Sequence, residues 1–165
     1  MGGAGVSKRV RLSPAEMMHA AMVGIMRQIT NLRDGRQDAH GFNGTGWSEH
    51  IEGAAGEMAV AKALGHYWSG NHGRLRADDV GRLQVRTRSR SDYDLIVHDT
   101  DPDDRAFVLV RGKAPEFEVV GWIWGRDAKN PLHWDDPAGG RPAYFVPAAD
   151  LRPLEELDVE IAASA

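Results

Sequence analysis

The 165-residue chain contains no cysteine, which excludes disulfides, thiolate metal sites and a cysteine nucleophile. No apolar run approaches the ~20 residues that a membrane-spanning helix needs, so we expect no membrane partner. Aromatic residues make up only 7% of the chain, and none alternates with the arginines of its most basic stretch, so no base-stacking platform is indicated. The opening MGGAGVSKRV lacks an apolar core after its basic residues. We therefore expect no secretory signal and place the protein in the cytoplasm.

Charged residues make up 27% of the chain and hydrophobic residues 42%, a balance typical of one globular domain with a sizeable core. The formal net charge is -4, so any surface that binds nucleic acid must be a local patch and not a global positive field. The composition along the chain predicts a flexible tail over residues 1–11, a single domain over residues 12–157 and a second tail over residues 158–165.

Two helices are predicted in the N-terminal half. The first covers residues 14–33 and starts with a capping box, in which Ser13 caps the helix and Glu16 closes the box. Its large apolar side chains recur at helical spacing, and we expect them to pack in the core: Met18, Met22, Ile25, Met26, Ile29 and Leu32. The second helix runs from Ser48, as its cap, to Leu64, with Gly65 as its stop.

The pattern then changes to that of strands. Leu83, Val85 and Thr87 alternate with polar residues, and three further apolar segments follow at residues 94–98, 107–110 and 118–124, with a last short one at residues 144–146. Two helices followed by closely spaced strands predict an α/β domain in which a central mixed β-sheet is flanked by the helices.

Glu57 is the first candidate functional residue. On a helix that turns by about 100° per residue, its neighbours on the same face are small or apolar, for example Ala54, Val60 and Leu64. A carboxylate in the middle of a packing face is costly unless it is paired, hydrogen-bonded or bound to a metal. Two structural explanations remain open at this point: a Glu whose tip reaches solvent, and an internal salt bridge with an arginine.

The second candidate region is the segment DVGRLQVRTR, residues 79–88. Residues two apart on a strand share a face, so Gln84 and Arg86 point the same way. Asp79 joins them only if Gly81 takes a bend or bulge. Two carboxylates, an amide oxygen and a cation in one pocket suit phosphodiester chemistry, because Mg²⁺ prefers hard oxygen ligands and a guanidinium stabilises developing charge. Asp78 is the immediate alternative to Asp79.

These residues resemble the PD-(D/E)XK nuclease superfamily. GAAGEMAVAKALG is similar to its first helix, and DVGRLQVRTR is similar to its motif hairpin. GWIWGRDAK and YFVPAADL look like segments of small phage and bacterial members. The resemblance covers roughly residues 48–157 and implies a restriction-endonuclease-like fold. It also implies that the cytoplasm is that of a bacterial or phage-infected cell.

The resemblance also implies a site. Glu57, Asp79 and Gln84 would hold Mg²⁺ or Mn²⁺, with Gln84 at the position of the second acidic residue of the motif. Arg86 would take the place of the lysine, giving QxR where the family has (D/E)xK. The neutral amide weakens the metal site, and an arginine cannot act as a base because it does not lose its proton.

Arg88 and Arg90 are the candidate contacts to DNA phosphates, although solvated pairs with Asp92 and the acidic run at residues 99–104 are an equal alternative. Asp92 and Asp94 are further candidates for a metal ligand, with a turn carboxylate as the commoner explanation.

Three functions follow as hypotheses. The first is a metal-dependent nuclease, a phosphodiester hydrolase acting on DNA through Glu57, Asp79, Gln84 and Arg86. The second is a catalytically inactive protein of the same fold that binds DNA or acts as a scaffold. The third is a homodimer or larger assembly formed through the strand of Trp122 and Trp124, whose indoles share one strand face and otherwise fit core packing.

Overall fold

The computed structural model of the chain describes residues 7–35, 46–71 and 78–158, which form one α/β unit in three layers. Helices α1 (Pro14–Arg33) and α2 (Trp47–Leu64) lie on one face of a four-stranded sheet and enclose the larger hydrophobic core with it. A three-stranded sheet lies against the opposite face and encloses a second, smaller core. The predicted α/β class, with a central sheet and two N-terminal helices, is confirmed.

The central sheet is mixed, as predicted. Its strands are β1 (Lys8–Arg11), β2 (Leu83–Arg88), β4 (Ala106–Lys113) and β5 (Glu116–Trp124). Their order is β1-β5-β4-β2, and β2 runs parallel to β4 while the other pairs are antiparallel. The small sheet has the order β3-β7-β6 and consists of β3 (Leu95–Val97), β6 (Trp134–Asp135) and β7 (Ala143–Val146). Strand β2 is therefore an edge strand of the central sheet.

Helix α1 has the predicted limits and the predicted capping box, in which the Glu16 backbone N–H donates to Ser13 Oγ at 3.2 Å. The prediction that its large apolar stripe packs in the core is wrong. The face of α1 that meets α2 consists of small residues such as Ala20 and Gly24, and a Cβ on Gly24 would lie 2.5 Å from the Ile51 Cα atom. This close helix contact turns the stripe outward, and Met18 is 64% exposed.

Helix α2 begins one residue earlier than predicted. Its N-cap is Gly46, with φ of 73°, and no side chain caps the helix, so the prediction of Ser48 as cap is wrong. Gly46 has a physical reason to stand there, because a Cβ would lie 2.5 Å from Gln28 Oε1 and the backbone is left-handed. Gly65 ends the helix at φ of 69°, as predicted.

The predicted N-terminal tail is too long. Residues 8–11 form β1, which pairs with β5 and buries Val10 to 7% exposure. A four-residue strand with one apolar side chain gives too weak an alternation to be recognised in the sequence. Residues 1–6 lie outside the described residues, as do residues 159–165 of the predicted C-terminal tail.

Candidate functional site

The position of Glu57 depends on a close approach of α2 to the edge strand β2. Glu57 is only 5% exposed, and its neighbour Gly56 faces Thr87 of β2. A Cβ on Gly56 would lie 1.9 Å from Thr87 Oγ1, so only glycine permits this distance between helix and sheet. The small-residue face of α2 thus buries the carboxylate against the sheet.

Glu57 is held by a side chain that the sequence analysis did not single out. Arg27 of α1 donates from both terminal nitrogens to Glu57 Oε1 and Oε2, at 2.7 and 2.8 Å, and Trp68 Nε1 donates to Oε2 at 3.1 Å. Burial alone would lower the pKa of Arg27, but the hydrogen bonds and charge of Glu57 outweigh it and raise that pKa. The internal salt bridge, one of the two structural explanations for Glu57, is therefore present.

A signal for Arg27 exists in the sequence. Arg27, like Glu57, is a single charged residue on a helix face without other charges. Its neighbours on that face at helical spacing are Ala20, Gly24 and Asn31. Two such charges of opposite sign on neighbouring helices predict an ion pair between them, because a buried charge needs a partner.

Asp79 lies beside the edge of β2. Gly81, with φ of 57°, makes the turn that the sequence analysis required, and it returns the chain so that the Asp79 N–H donates to the Leu83 carbonyl at 2.8 Å. Asp79 Oδ2 then accepts from the Val85 N–H at 2.7 Å. The Asp79 carboxylate thus accepts a hydrogen bond from a backbone N–H at the sheet edge, where the carbonyl of a neighbouring strand would otherwise be the acceptor.

The charge state of Asp79 links it to the rest of the site. Burial first, and then repulsion from Glu57, raises the pKa of Asp79 to about 7, against lowering contributions from the Val85 N–H, Arg86 and Arg27. The helix acid and the hairpin acid are therefore electrostatic neighbours in a poorly solvated region.

Gln84 and Arg86 lie on the other face of β2. Leu83, Val85 and Thr87 point toward α2, so the residues between them point away from Glu57. The structure thus places Glu57 and Arg86 within electrostatic range of Asp79, while Gln84 points away from Glu57.

Two further aspartates partner these strand residues. Gln84 Nε2 donates to Asp78 Oδ1 at 3.2 Å, and Arg105 Nε donates to the same oxygen at 2.9 Å. Arg86 donates to Asp101 Oδ2 at 2.9 Å, and its guanidinium lies 4.9 Å from the centre of the Phe107 ring. Asp101 and Arg105 were not predicted, because they lie in or beside an acidic turn whose charges all look solvated in the sequence.

The site contains side-chain oxygens of the kind that bind divalent ions. Among the described residues, Asp79 Oδ1 and Gln84 Oε1 accept no hydrogen bond, and both are the hard oxygens that Mg²⁺ prefers. Glu57 is available only if Arg27 releases one of its oxygens. Within the described ranges, no group of three or more His, Asp or Glu side chains is arranged around a common metal position.

A basic surface lies at the end of β2 remote from Asp79. Because of the strand register, Arg9, Glu118, Arg111 and Arg88 form one row across all four strands of the central sheet. The row lies on the face that Gln84 and Arg86 share, beyond the area that the small sheet covers. A cavity of about 540 Å³ opens there, with Ser89 among its lining residues.

The two predicted phosphate contacts differ within this surface. Arg88 is partly buried, with its guanidinium 4.6 Å from the centre of the Tyr93 ring, and its Nε has no hydrogen-bond partner among the described residues. Burial lowers the pKa of Arg88. Arg90 instead forms a two-nitrogen pair with Asp92, with both distances 2.9 Å, so the solvated-pair alternative describes Arg90.

The indoles of Trp122 and Trp124 belong to the core. They are 0% and 5% exposed and pack edge to face, with ring centres 5.5 Å apart. Trp122 Nε1 donates to the Pro153 carbonyl. These side chains therefore offer no surface for the predicted homodimer. None of the described helices is long and apolar enough to cross a bilayer.

Comparison of the chain with family models, with curated proteins and with solved structures finds no match.

Proposed function

We propose that the protein is a metal-dependent phosphodiester hydrolase that acts on DNA, with a restriction-endonuclease-like arrangement of its central sheet. The observation that carries the proposal is a pair of carboxylates: Glu57 is buried, Asp79 is partly buried, and burial followed by repulsion from Glu57 raises the pKa of Asp79 to about 7. A fold gains nothing from holding two acids together in a region of low dielectric, but a divalent ion relieves that repulsion.

The chain's own residues have separate tasks in this proposal. Asp79 would hold Mg²⁺ or Mn²⁺ through Oδ1, which accepts no hydrogen bond from the described residues, and Glu57 would join it when Arg27 releases an oxygen. Gln84 points away from Glu57, so it would become a ligand only by turning its amide from Asp78 toward the ion. When bound, the ion supplies a water of lowered pKa and a positive charge for the phosphate. Arg86 would turn from Asp101 to the phosphate and stabilise the charge that grows there.

The substrate class is inferred from the basic surface. The row that contains Arg88 and Arg111 lies on the same face of the sheet as Arg86, so a phosphate backbone that follows the row reaches Arg86. Glu118 interrupts the row and reduces its charge. We therefore expect binding of modest affinity that falls steeply with salt concentration.

The test is cleavage of plasmid and linear duplex DNA with Mg²⁺ or Mn²⁺ present. We expect the wild type to cut, and Glu57→Gln and Asp79→Asn to lose at least ~100-fold of the rate, since each removes a charged ligand. Asp92→Asn, an exposed acid paired with Arg90, is the matched control and should cut normally. Circular dichroism of each variant separates lost chemistry from lost fold. Equal cutting by all four proteins would refute the proposal.

A second candidate is favoured by a specific observation: the arginines close the site. Arg27 occupies both oxygens of Glu57, and Arg86 is paired with Asp101. In this candidate the protein binds DNA or another partner without turnover. Mn²⁺ would then leave the melting temperature unchanged, because no ligand set opens to receive the ion. A melting temperature that rises with Mn²⁺ in the wild type and not in Asp79→Asn would instead favour the hydrolase.

A further inference from the structure

A cavity of about 610 Å³ opens beside the small sheet, on the side of the central sheet that faces away from α1 and α2. Its volume is in the range of cavities that take small organic ligands. The residues that line it lie between residues 94 and 150, within the continuous described range 78–158. Neither Glu57 nor Asp79 is among them, so the cavity is separate from the site of the proposed hydrolase.

Part of the cavity wall is aromatic. It includes Trp134 of β6 and Phe145 of β7. Trp134 is 46% exposed, yet its ring is held edge to face against Tyr144, with ring centres 4.8 Å apart. An indole that is fixed by a neighbouring ring and open to solvent presents a flat π face, which attracts cations. This part of the wall therefore suits a cation or an apolar group.

Another part of the wall is fixed by His133, whose side chain is 10% exposed. Its Nδ1 lies 2.9 Å from the Ala128 carbonyl oxygen, and its Nε2 lies 3.1 Å from Asp150 Oδ2. These two contacts tie the turn Pro131–His133 to two other parts of the chain. The polar side of the cavity is thus built by packed side chains before any ligand arrives, which lowers the entropic cost of binding.

Charge selects the class of ligand. Three carboxylates line the cavity, those of Asp94, Asp135 and Asp150, and none of its lining residues is Lys or Arg. Asp135 accepts one hydrogen bond, from the neighbouring Asp136 N–H. Asp94 accepts none from the described residues. Carboxylates gathered without a cation repel one another, so a positively charged ligand gains from all three.

The closest lysine along the sequence does not serve these carboxylates. Lys129 directs its ammonium to the acidic run at residues 99–104. It donates there to the Asp99 carbonyl at 2.9 Å, to the Asp101 carbonyl at 2.6 Å and to Asp103 Oδ1 at 2.6 Å. An ammonium has three donors, so these contacts use all of them. Lys129 is therefore unavailable to the cavity.

We propose that this cavity binds an organic cation, namely an ammonium or guanidinium group carried on an apolar stem. The carboxylates of Asp94, Asp135 and Asp150 neutralise the charge, and Trp134 covers the cation or its stem. Such a group occurs in small amines and in the Lys and Arg side chains of other proteins, and its recognition chemistry is the same in both. The proposal goes beyond the function proposed above and does not depend on it, since no residue of the hydrolase site takes part.

The first test uses two compounds of the same shape that differ in charge, benzamidine and benzamide. NMR titration of the full chain follows the indole N–H of Trp134. We expect benzamidine to bind with a dissociation constant of about 1 mM or less, and benzamide at least ~10-fold more weakly, because only benzamidine is a cation. Equal binding of the two, or no shift of the Trp134 signal by either up to ~10 mM, would overturn the proposal. A cavity that is filled by another part of the chain would give the second of these results.

The second test locates the site with variants. Asp94→Asn combined with Asp135→Asn keeps the shapes of both side chains and should weaken benzamidine binding at least ~5-fold. Trp134→Leu removes the π face and should weaken it at least ~3-fold. All three positions are at least partly exposed, so the fold should be kept.

Asp127→Asn is the matched control for these variants. Asp127 is an exposed acid of the same region that does not line the cavity, so the control should bind benzamidine like the wild type. If it loses as much affinity as the double variant, the effect comes from net charge alone and the proposal is wrong.

A pair of peptides distinguishes the two sources of the cation. The probe is an acetylated and amidated peptide with one arginine between two glycines, and its control carries citrulline, the neutral isostere of arginine. Binding at least ~10-fold tighter than that of benzamidine identifies the side chain of a partner protein as the ligand, and weaker binding than that identifies a small amine. Equal binding of the arginine and citrulline peptides would overturn the proposal, because charge would then not be what the cavity recognises.

Discussion

Glu57 on α2 and Asp79 beside β2 are electrostatic neighbours, but they differ in their hydrogen-bond partners. On the helix side, Glu57 accepts three hydrogen bonds, two of them from the guanidinium of Arg27. On the hairpin side, Asp79 accepts one, from the Val85 N–H, and its pKa is raised to about 7. The fold's own cation goes to the acid on the helix, so the acid on the hairpin is the one that gains most from a cation supplied from outside.

The largest expected effect is the loss of stability caused by Arg27→Met. It leaves Glu57 buried with Trp68 as its remaining donor, and the loss of one partner of a buried pair costs about 3–5 kcal/mol of the free energy of unfolding. Urea denaturation measures the loss. Arg33→Met, which removes an exposed arginine from the same helix, should cost less than about 1 kcal/mol.

A double variant sharpens the same test. Arg27→Met combined with Glu57→Gln removes the unpaired charge, so it should be more stable than Arg27→Met alone. If Arg27→Met lowers the free energy of unfolding no more than Arg33→Met does, the ion pair of Arg27 with Glu57 does not stabilise the fold.

On the hairpin side, we expect a pH dependence of stability that Asp79→Asn removes. The folded-state pKa of about 7 lies above the unfolded value of 3.8, so the folded chain keeps the proton longer. Stability is therefore lost as pH rises from about 4 to about 7, by an amount on the order of 4 kcal/mol, and is level above that range. Denaturation at several pH values measures it in the absence of metal.

An exposed carboxyl elsewhere in the chain provides the control for this pH dependence. Asp92→Asn changes an exposed carboxyl paired with Arg90 and should leave the curve of the wild type unchanged between pH 5 and 7.5. A wild-type curve that is flat or rises through that range would mean that Asp79 is charged and well compensated, and the contrast with Glu57 would disappear.

The sequence predicts the parts of this site that depend on local pattern. The limits of α1, the bend at Gly81 and the burial of Glu57 all follow from capping, backbone freedom and helical periodicity, and the structure confirms them. The faces of β2 also follow from the two-residue period of a strand.

The parts that the sequence does not predict depend on contacts between distant elements. The outer face of α1 has the same apolar pattern as a buried face, and only the small residues opposite it reveal which side meets α2. The partners Asp101 and Arg105 are positioned by tertiary packing that places an acidic turn beside β2. Charge pairing across such distances has no period along the chain from which it can be recognised.

The close approach of α2 to β2 permits a third prediction, of intermediate size. Gly56→Ala introduces a Cβ 1.9 Å from Thr87 Oγ1, so the helix must move away from the sheet at a cost of about 1–3 kcal/mol. Gly53→Ala is a matched control on the same helix, because nothing lies within 4 Å of its added Cβ, and it should be neutral or stabilise by up to about 1 kcal/mol.

The Gly56→Ala variant also tests how strongly Glu57 raises the pKa of Asp79. A wider gap weakens the repulsion, so the pKa of Asp79 should fall in Gly56→Ala, which NMR titration of the carboxyl carbon measures. Adding Thr87→Ala should restore part of the stability. An unchanged Asp79 pKa, with stability lost, would show that burial alone sets the charge state of the hairpin side.

The smallest effect, and the one most informative about function, is expected for Gln84→Glu. Without metal, the change replaces the Nε2 donor to Asp78 with a third acid near Asp79, and we expect a loss of about 1 kcal/mol. With Mg²⁺ or Mn²⁺, the added carboxylate is a stronger ligand than the amide, so the metal-induced rise in melting temperature should exceed that of the wild type. Ser89→Glu adds the same charge at the exposed end of β2, beyond the site, and should behave as the wild type does. A metal response that is the same in all three proteins would mean that no ion binds between the hairpin and α2. The opposite states of Glu57 and Asp79 would then be a property of the fold alone.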